Sequence, residues 1–147
     1  MRTSPTIVPA LRYADAPAAI EFLCEAFGFE RHAVYADPEN PKIIHHAQLT
    51  LGNGMVMLSS ALPGESQTRY RWKTPAEAGG VTACICVIID DPDEHHARAV
   101  AHGAEIVTPP HDNEGYPGRS YNARDSEGND WDFGTYDPWS GGEAEPA

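Results

Sequence analysis

A chain of 147 residues is long enough for one domain with a substantial core, because chains of about 150 residues bury roughly two-thirds of their surface on folding. The 22 acidic and 10 basic side chains give a formal net charge of -12, which opposes binding to nucleic-acid phosphates and to anionic membranes. The three cysteines form no CxxC pair and the sequence shows no apolar leader, which predicts a cytoplasmic protein with reduced thiols. No apolar run reaches about 20 residues, so no membrane partner is expected.

The first half of the chain predicts a βαβββ module. Residues 6–13 are apolar and β-like, and residues 16–27 carry apolar side chains at helical spacing. Asp15 is suited to cap the start of this helix and Gly28 to end it. Three further strands are predicted at 29–35, 42–51 and 55–58. A polar segment at 63–80, rich in Pro and Gly, is interpreted as a loop or linker.

The same pattern restarts in the second half of the chain. Residues 81–89 predict a strand and residues 94–102 a helix. A polar turn, Asp125–Asn129, then joins two segments in which polar and apolar residues alternate, which is typical of a β-hairpin. The alternation predicts that Arg124 pairs with Asp130 across this turn.

This register sorts the hairpin into two faces. Asn122 is expected opposite Asp132 on a polar face, whereas Tyr121 and Trp131 lie on an aromatic face. We expect the aromatic face to pack against a helix and the polar face to be available for binding.

Turn and helix-ending residues of the first half recur in the second half at a nearly constant separation in the sequence. Gly52-Asn53 returns as Gly128-Asn129 after 76 positions, and the helix-ending glycines Gly28 and Gly103 are 75 apart. Such an internal repeat predicts two tandem βαβββ modules, although two similar units in an ordinary α+β fold remain the alternative. The predicted organisation is one domain over 1–140, with modules at about 5–62 and 81–139, a linker at 63–80 and a disordered tail at 141–147.

Two phrases of the sequence resemble a known superfamily. GRSYNARDSEGNDWDFGTY (118–136) and ALRYADAPAAIEFLCEAFGF (10–29) are similar to the closing hairpin and the opening strand and helix of vicinal oxygen chelate proteins. That group contains glyoxalases, bleomycin-resistance proteins and extradiol dioxygenases. The resemblance implies an α+β fold in which the strands of each module curl into a half-barrel, helices lie outside and a groove binds small molecules. It also implies a homodimer.

The metal-dependent members of this superfamily take their ligands from the first and fourth strands of each module. An offset of 76 places Val8, Val56, Cys84 and Asp132 at these positions. Valine cannot coordinate a metal, and one thiol with one carboxylate is a poor set for a divalent centre. We therefore expect no metal cofactor, and a divalent metal is disfavoured.

The polar face of the hairpin supplies most candidate ligand-binding residues. The same offset equates His46 with Asn122 and Gln48 with Arg124. Arg124 is expected either to bind an anionic or carbonyl group or to form only a charge cluster with Asp130 and Asp132. The predicted groove residues are His46, Gln48, Val56, Cys84, Asn122, Arg124, Asp130, Asp132, Trp72 and Tyr116.

Two aromatic candidates lie in loops. Trp72 in the linker is interpreted either as a lid or as an anchor for the loop, and Tyr116 belongs to a Gly-rich loop at the expected mouth of the groove. His95 and His96 are interpreted as a solvated helix start, because neighbouring helical side chains point about 100° apart and do not readily share one ion.

The function predicted from these residues is non-covalent binding or sequestration of a small organic molecule. The alternative is a divalent-metal-dependent lyase, isomerase or dioxygenase of the same superfamily, and a third class is a structural dimer whose groove is filled by its own side chains. Whether the protein is an enzyme is left open, and no catalytic residue is assigned.

Overall fold

The computed structural model describes residues 3–64 and 71–140. The predicted disordered tail at 141–147 and residues 65–70 of the predicted linker lie outside the described residues. The first module consists of β1 (Ala10–Tyr13), α1 (Ala16–Phe27), β2 (Glu30–Ala36), β3 (Ile44–Leu51) and β4 (Gly54–Ser60). Its sheet has the order β1-β4-β3-β2, in which β1 runs parallel to β4 and the other pairs are antiparallel.

The second module repeats this topology. After a short helix α2 (Pro75–Ala78) within the predicted linker, it consists of β5 (Cys84–Ile88), α3 (Pro92–Ala101), β6 (Glu105–Asp112), β7 (Arg119–Arg124) and β8 (Asp130–Gly134). The sheet order is β5-β8-β7-β6, with β5 parallel to β8. The predicted pair of βαβββ modules is therefore confirmed. The first strand of each module is shorter than predicted, since β1 begins at Ala10 and β5 at Cys84.

Helix α1 has the ends that its sequence predicts. The Asp15 side chain accepts a hydrogen bond from the Ala18 backbone N–H (3.1 Å), and Gly28 ends the helix at φ 81°, a backbone conformation that L side chains rarely adopt. The apolar spacing turns one face of the helix inward, and Ile20, Leu23 and Phe27 are buried there.

The closing hairpin has the predicted register. Arg124 lies opposite Asp130 and Asn122 opposite Asp132. Trp131 is fully buried, and its ring centroid lies 5.5 Å from that of Phe27 on α1. The aromatic face of the second module therefore packs on the helix of the first, which joins the two modules through one core.

Polar contacts between α1 and α3 strengthen this junction. Arg98 donates from Nε to the carbonyl of Glu25 (2.7 Å) and from Nη2 to that of Cys24 (3.0 Å), and His95 Nε2 donates to the carbonyl of Phe27 (2.8 Å). The side chains of α3 thus satisfy carbonyls that the last turn of α1 leaves without intrahelical partners.

The interpretation of His95 as a solvated residue is wrong. A carbonyl only accepts, so Nε2 carries the proton and Nδ1 accepts from the Tyr121 hydroxyl at 2.5 Å. The ring lies 4.3 Å from that of Phe133. Burial disfavours the charged imidazolium and lowers the pKa of His95.

No helix in the described ranges is long and apolar enough to cross a lipid bilayer.

Candidate functional site

Each sheet presents a polar face on the side opposite the helices. In the first module His46 and Gln48 of β3 lie on this face, half-buried, and the Gln48 amide donates to His46 Nε2 (3.1 Å). The imidazole of His46 also stacks on Tyr35, with ring centroids 6.1 Å apart. These contacts fix the orientation of the His46 imidazole.

The predicted position of Val56 on the polar face is wrong. Val56 is 4% exposed and lies in the core opposite Leu49. Met57 instead lies on the polar face, opposite Gln48, as Asp132 lies opposite Asn122 in the second module. The prediction failed because a constant offset ignores loop length. The β3–β4 loop has two residues, 52–53, and the β7–β8 loop has five, 125–129.

The polar face of the second module is occupied by ion pairs. Arg124 Nε contacts Asp130 Oδ1 at 3.1 Å, and its Nη1 contacts Glu105 Oε1 at 3.0 Å. All three side chains are substantially exposed, with fractions of 42%, 38% and 65% respectively. This geometry favours the charge-cluster interpretation of Arg124. Asn122 and Asp132 are half-buried beside it on the same face.

The two cysteines of β5 border the same face. Cys84 lies beside Asp130 and Cys86 beside Asp132 in the parallel register, and both thiols are free and exposed. Partial burial, followed by the nearby Cys86 and Asp132, raises the pKa of Cys84 to about 11. Cys84 is therefore a thiol at neutral pH and not an activated nucleophile.

The first- and fourth-strand positions do not fit a divalent metal centre. In the observed register Ala10 lies beside Met57 in the first module, and Cys86 lies beside Asp132 in the second. Alanine and methionine offer no hard donor, and the remaining thiol and carboxylate come from a single module. Within the described residues no group of three His, Cys, Asp or Glu side chains has a geometry that could hold a metal.

The linker contributes Trp72, an aromatic residue that lines a groove beside β1. The Arg12 guanidinium stacks over the indole of Trp72 at 4.1 Å from the ring centroid, and Arg12 also contacts the hydroxyl of Ser59. Trp72 is half-buried. It therefore anchors the linker to β1 and at the same time contributes a wall to the cavities on either side.

Two cavities, of about 440 and 270 Å³, adjoin at Trp72. Both are lined by Ala10, Leu11, Arg12 and Trp72. We call them together the Trp72 groove. The smaller cavity extends to His45, His46, Met57, Leu58 and Ser59, and the larger extends to residues 71–75, 78, 80–83, 85 and 129–130.

Only part of the predicted site belongs to the Trp72 groove. His46, Trp72 and Asp130 line it, and Gln48 is bonded to His46. Among the described residues no strand of one module makes extensive contact with a strand of the other, although Arg12 of β1 and Asp130 of β8 line the same larger cavity. Tyr116 is 49% exposed and packs on Tyr136, with ring centroids 5.3 Å apart.

Arg12 lines the groove but is not among the residues predicted from the sequence. The alternation within ALRY at 10–13 indicates its position, because it places Arg12 on the face opposite the buried Tyr13.

A further cavity of about 570 Å³ lies between β4 and β5. Most of its wall is apolar, including Ile7, Phe29, Ile85 and Trp139. Trp139 is 89% exposed at its edge.

Comparison with known proteins agrees with this architecture. The family model of the glyoxalase/bleomycin resistance protein/dioxygenase superfamily matches residues 6–133. The chain belongs to this superfamily. None of the curated proteins matches it significantly.

Solved structures of this superfamily superpose on the chain. TioX from Micromonospora sp. ML1 is 32% identical, with a TM-score of 0.70 over 89% of this chain and 98% of its own. A glyoxalase/bleomycin resistance protein/dioxygenase family enzyme from Burkholderia phytofirmans is 19% identical, with a TM-score of 0.64 over 85% and 93%. Maize glyoxalase I is 17% identical, with a TM-score of 0.63, and the alignment covers 86% of this chain and 43% of the maize protein. The last two likenesses concern the fold alone.

Proposed function

We propose that this superfamily member binds a small organic molecule non-covalently in the Trp72 groove. The observation that carries the proposal is the Arg12–Trp72 stack, which lies where two cavities of about 440 and 270 Å³ adjoin. Cavities of roughly 300–1,000 Å³ with apolar walls and a few placed polar groups are typical small-molecule sites.

The groove supplies both kinds of contact. Trp72, Leu11 and Met57 offer apolar surface, whereas His46 and Ser59 offer hydrogen-bonding groups. A ligand held by these groups needs no covalent step. Sequestration of a drug or metabolite is the function that such a groove supports best.

The test uses the uncharged dye N-phenyl-1-naphthylamine, whose fluorescence rises in an apolar site. Trp72→Ala should raise the Kd for the dye about tenfold or more, since loss of an aromatic wall costs on the order of 1.5 kcal/mol. Trp72→Phe should retain most of the affinity. Trp139→Ala serves as the matched control, because Trp139 borders the separate cavity between β4 and β5.

Two outcomes would contradict the proposal. Absence of dye binding to the folded wild-type protein would remove the site altogether. A larger loss in Trp139→Ala than in Trp72→Ala would move it to the cavity between β4 and β5.

We also propose that the protein is a cytoplasmic homodimer. The two edge strands of the second sheet carry exposed apolar side chains, since Ile88 of β5 and Val107 of β6 are both 48% exposed, and sheet edges left uncovered are usually paired or protected. The three cysteines are free, which supports a reducing environment. Sedimentation at micromolar concentration that shows only the 16.0 kDa chain would contradict the dimer.

A further inference from the structure

Positive charge is concentrated at one end of the Trp72 groove. Arg71 and Lys73 flank Trp72 in the sequence, and together with Arg12 they line the 440 Å³ cavity. These are three of the 10 basic residues of a chain whose formal net charge is -12.

Two of these cations are not neutralised by any residue that the structure describes. Arg71 and Lys73 form no ion pair within residues 3–64 and 71–140, whereas Arg119 contacts both Asp93 and Asp112. Asp130, which also lines the larger cavity, is already bound by Arg124 at 3.1 Å. The cavity therefore has positive charge available for a ligand.

The backbone at Arg71 is strained. Its φ is 50°, and no other non-glycine residue in the described ranges has a positive φ. A left-handed conformation is unfavourable for an L residue, and such strain concentrates at sites where geometry serves binding. Arg71 lines the same cavity as Lys73, which lies on the other side of Trp72 in the sequence.

Much of the remaining wall of the larger cavity is apolar. Leu11, Ala78, Val81 and Ile85 line it, together with the polar Thr74, Thr82, Asn129 and Asp130. A ligand that contacts both the cations and the apolar side chains carries an anionic group and an apolar body. At physiological ionic strength, exposed charges more than about 8 Å apart are largely screened from each other, so the distant carboxylates repel an anionic ligand only weakly. The nearby cations therefore determine which sign of ligand charge the cavity favours.

We propose that the Trp72 groove selects organic anions, in which a carboxylate, sulfonate or phosphate lies against Arg71 and Lys73 and a planar apolar body lies along Trp72. This inference rests on the proposed function and adds the chemical class of the ligand.

The experiment compares two dyes of one skeleton. 8-Anilinonaphthalene-1-sulfonate carries a sulfonate, and N-phenyl-1-naphthylamine does not. Lys73→Gln and Arg71→Gln should each raise the Kd of the sulfonate about tenfold, because a charge-assisted contact is lost, and should leave the Kd of the uncharged dye within about twofold.

Two further variants control for charge. Lys42→Gln removes the same charge from an exposed lysine in the turn before β3 and should leave binding of the sulfonate unchanged. Lys73→Arg keeps the charge and should bind like the wild type.

Each failure has a distinct signature. If neither dye binds, the proposed function fails and this inference with it. If the uncharged dye binds at Trp72 but the sulfonate is insensitive to Arg71→Gln and Lys73→Gln, or Lys42→Gln weakens it equally, only the anion preference is overturned.

Discussion

Asp125 is the polar residue on which the closing hairpin depends. It is 6% exposed, and its Oδ2 accepts from the Tyr13 hydroxyl at 2.6 Å and from Trp131 Nε1 at 3.0 Å. Its Oδ1 accepts from the backbone N–H groups of Glu127 (3.0 Å) and Asn129 (3.1 Å). One carboxylate therefore joins the turn, the core tryptophan and β1 of the other module. The substitution Asp125→Asn tests this arrangement.

The amide cannot replace the carboxylate, because all of these partners are donors. With its oxygen toward the turn, the amide nitrogen faces Tyr13 and Trp131. The tyrosine hydroxyl is able to rotate and accept, but the indole N–H is a donor only and remains unsatisfied. A buried unsatisfied donor costs about 1–3 kcal/mol, and the remaining bonds lose their charge assistance. We expect a total loss of about 3 kcal/mol, or roughly 10 °C in Tm for a domain of this size.

Urea unfolding followed by near-ultraviolet circular dichroism measures this loss. Asp37→Asn is the matched control, because Asp37 also accepts from two turn N–H groups, those of Glu39 and Asn40 (both 2.9 Å), but at the surface. Its effect should be much smaller. Trp131→Phe removes the donor that Asp125→Asn leaves unsatisfied. The loss in the double variant should therefore be smaller than the sum of the two single losses, by a coupling free energy of at least about 1 kcal/mol.

If Asp125→Asn lowered the free energy of unfolding no more than Asp37→Asn, the buried carboxylate would not have this stabilising role. Additive effects of Asp125→Asn and Trp131→Phe would refute the specific role of the indole donor.

Three other predictions concern the core, the module junction and metal. Trp131→Ala should lose about 3–5 kcal/mol of unfolding free energy, measured in urea, because it leaves a cavity in the shared core; a loss below 1 kcal/mol would contradict its buried position. The lowered pKa of His95 means that the folded state favours the neutral ring. The stability that this group contributes is therefore lost as the pH falls below about 6.5, the pKa of histidine in the unfolded chain. His95→Gln should reduce the stability difference between pH 7 and pH 5, and an unchanged difference would be inconsistent with this role. Elemental analysis should show substoichiometric Zn, Ni, Mn and Fe, since Met57 stands where a hard donor is needed; one equivalent would reverse this prediction.

The sequence alone determined the hairpin and the modular repeat. Alternation on both sides of Asp125–Asn129 predicts the pairing of Arg124 with Asp130, and the structure has that register. Such patterns are local, because the pleat sends successive side chains to opposite faces whatever the rest of the chain does. The recurrence of capped helix, glycine and strands likewise predicted two modules of one topology.

The sequence could not align the two modules residue by residue. Gln48 and Asn122 are 74 positions apart, whereas Met57 and Asp132 are 75 apart, because the two hairpin loops differ in length. A shift of one residue moves a side chain to the other face. A constant offset of 76 therefore predicts Val56 on the polar face, although Val56 lies in the core.

Only the tertiary structure decided what the helices and the linker contact. His95 is half-buried because α1 of the other module covers it and offers the carbonyl of Phe27. Trp72 meets Arg12, 60 positions earlier in the chain, because the linker returns across β1. Contacts between residues so distant in sequence leave no periodic signal, since they arise from the packing of whole elements and from the path of an irregular segment.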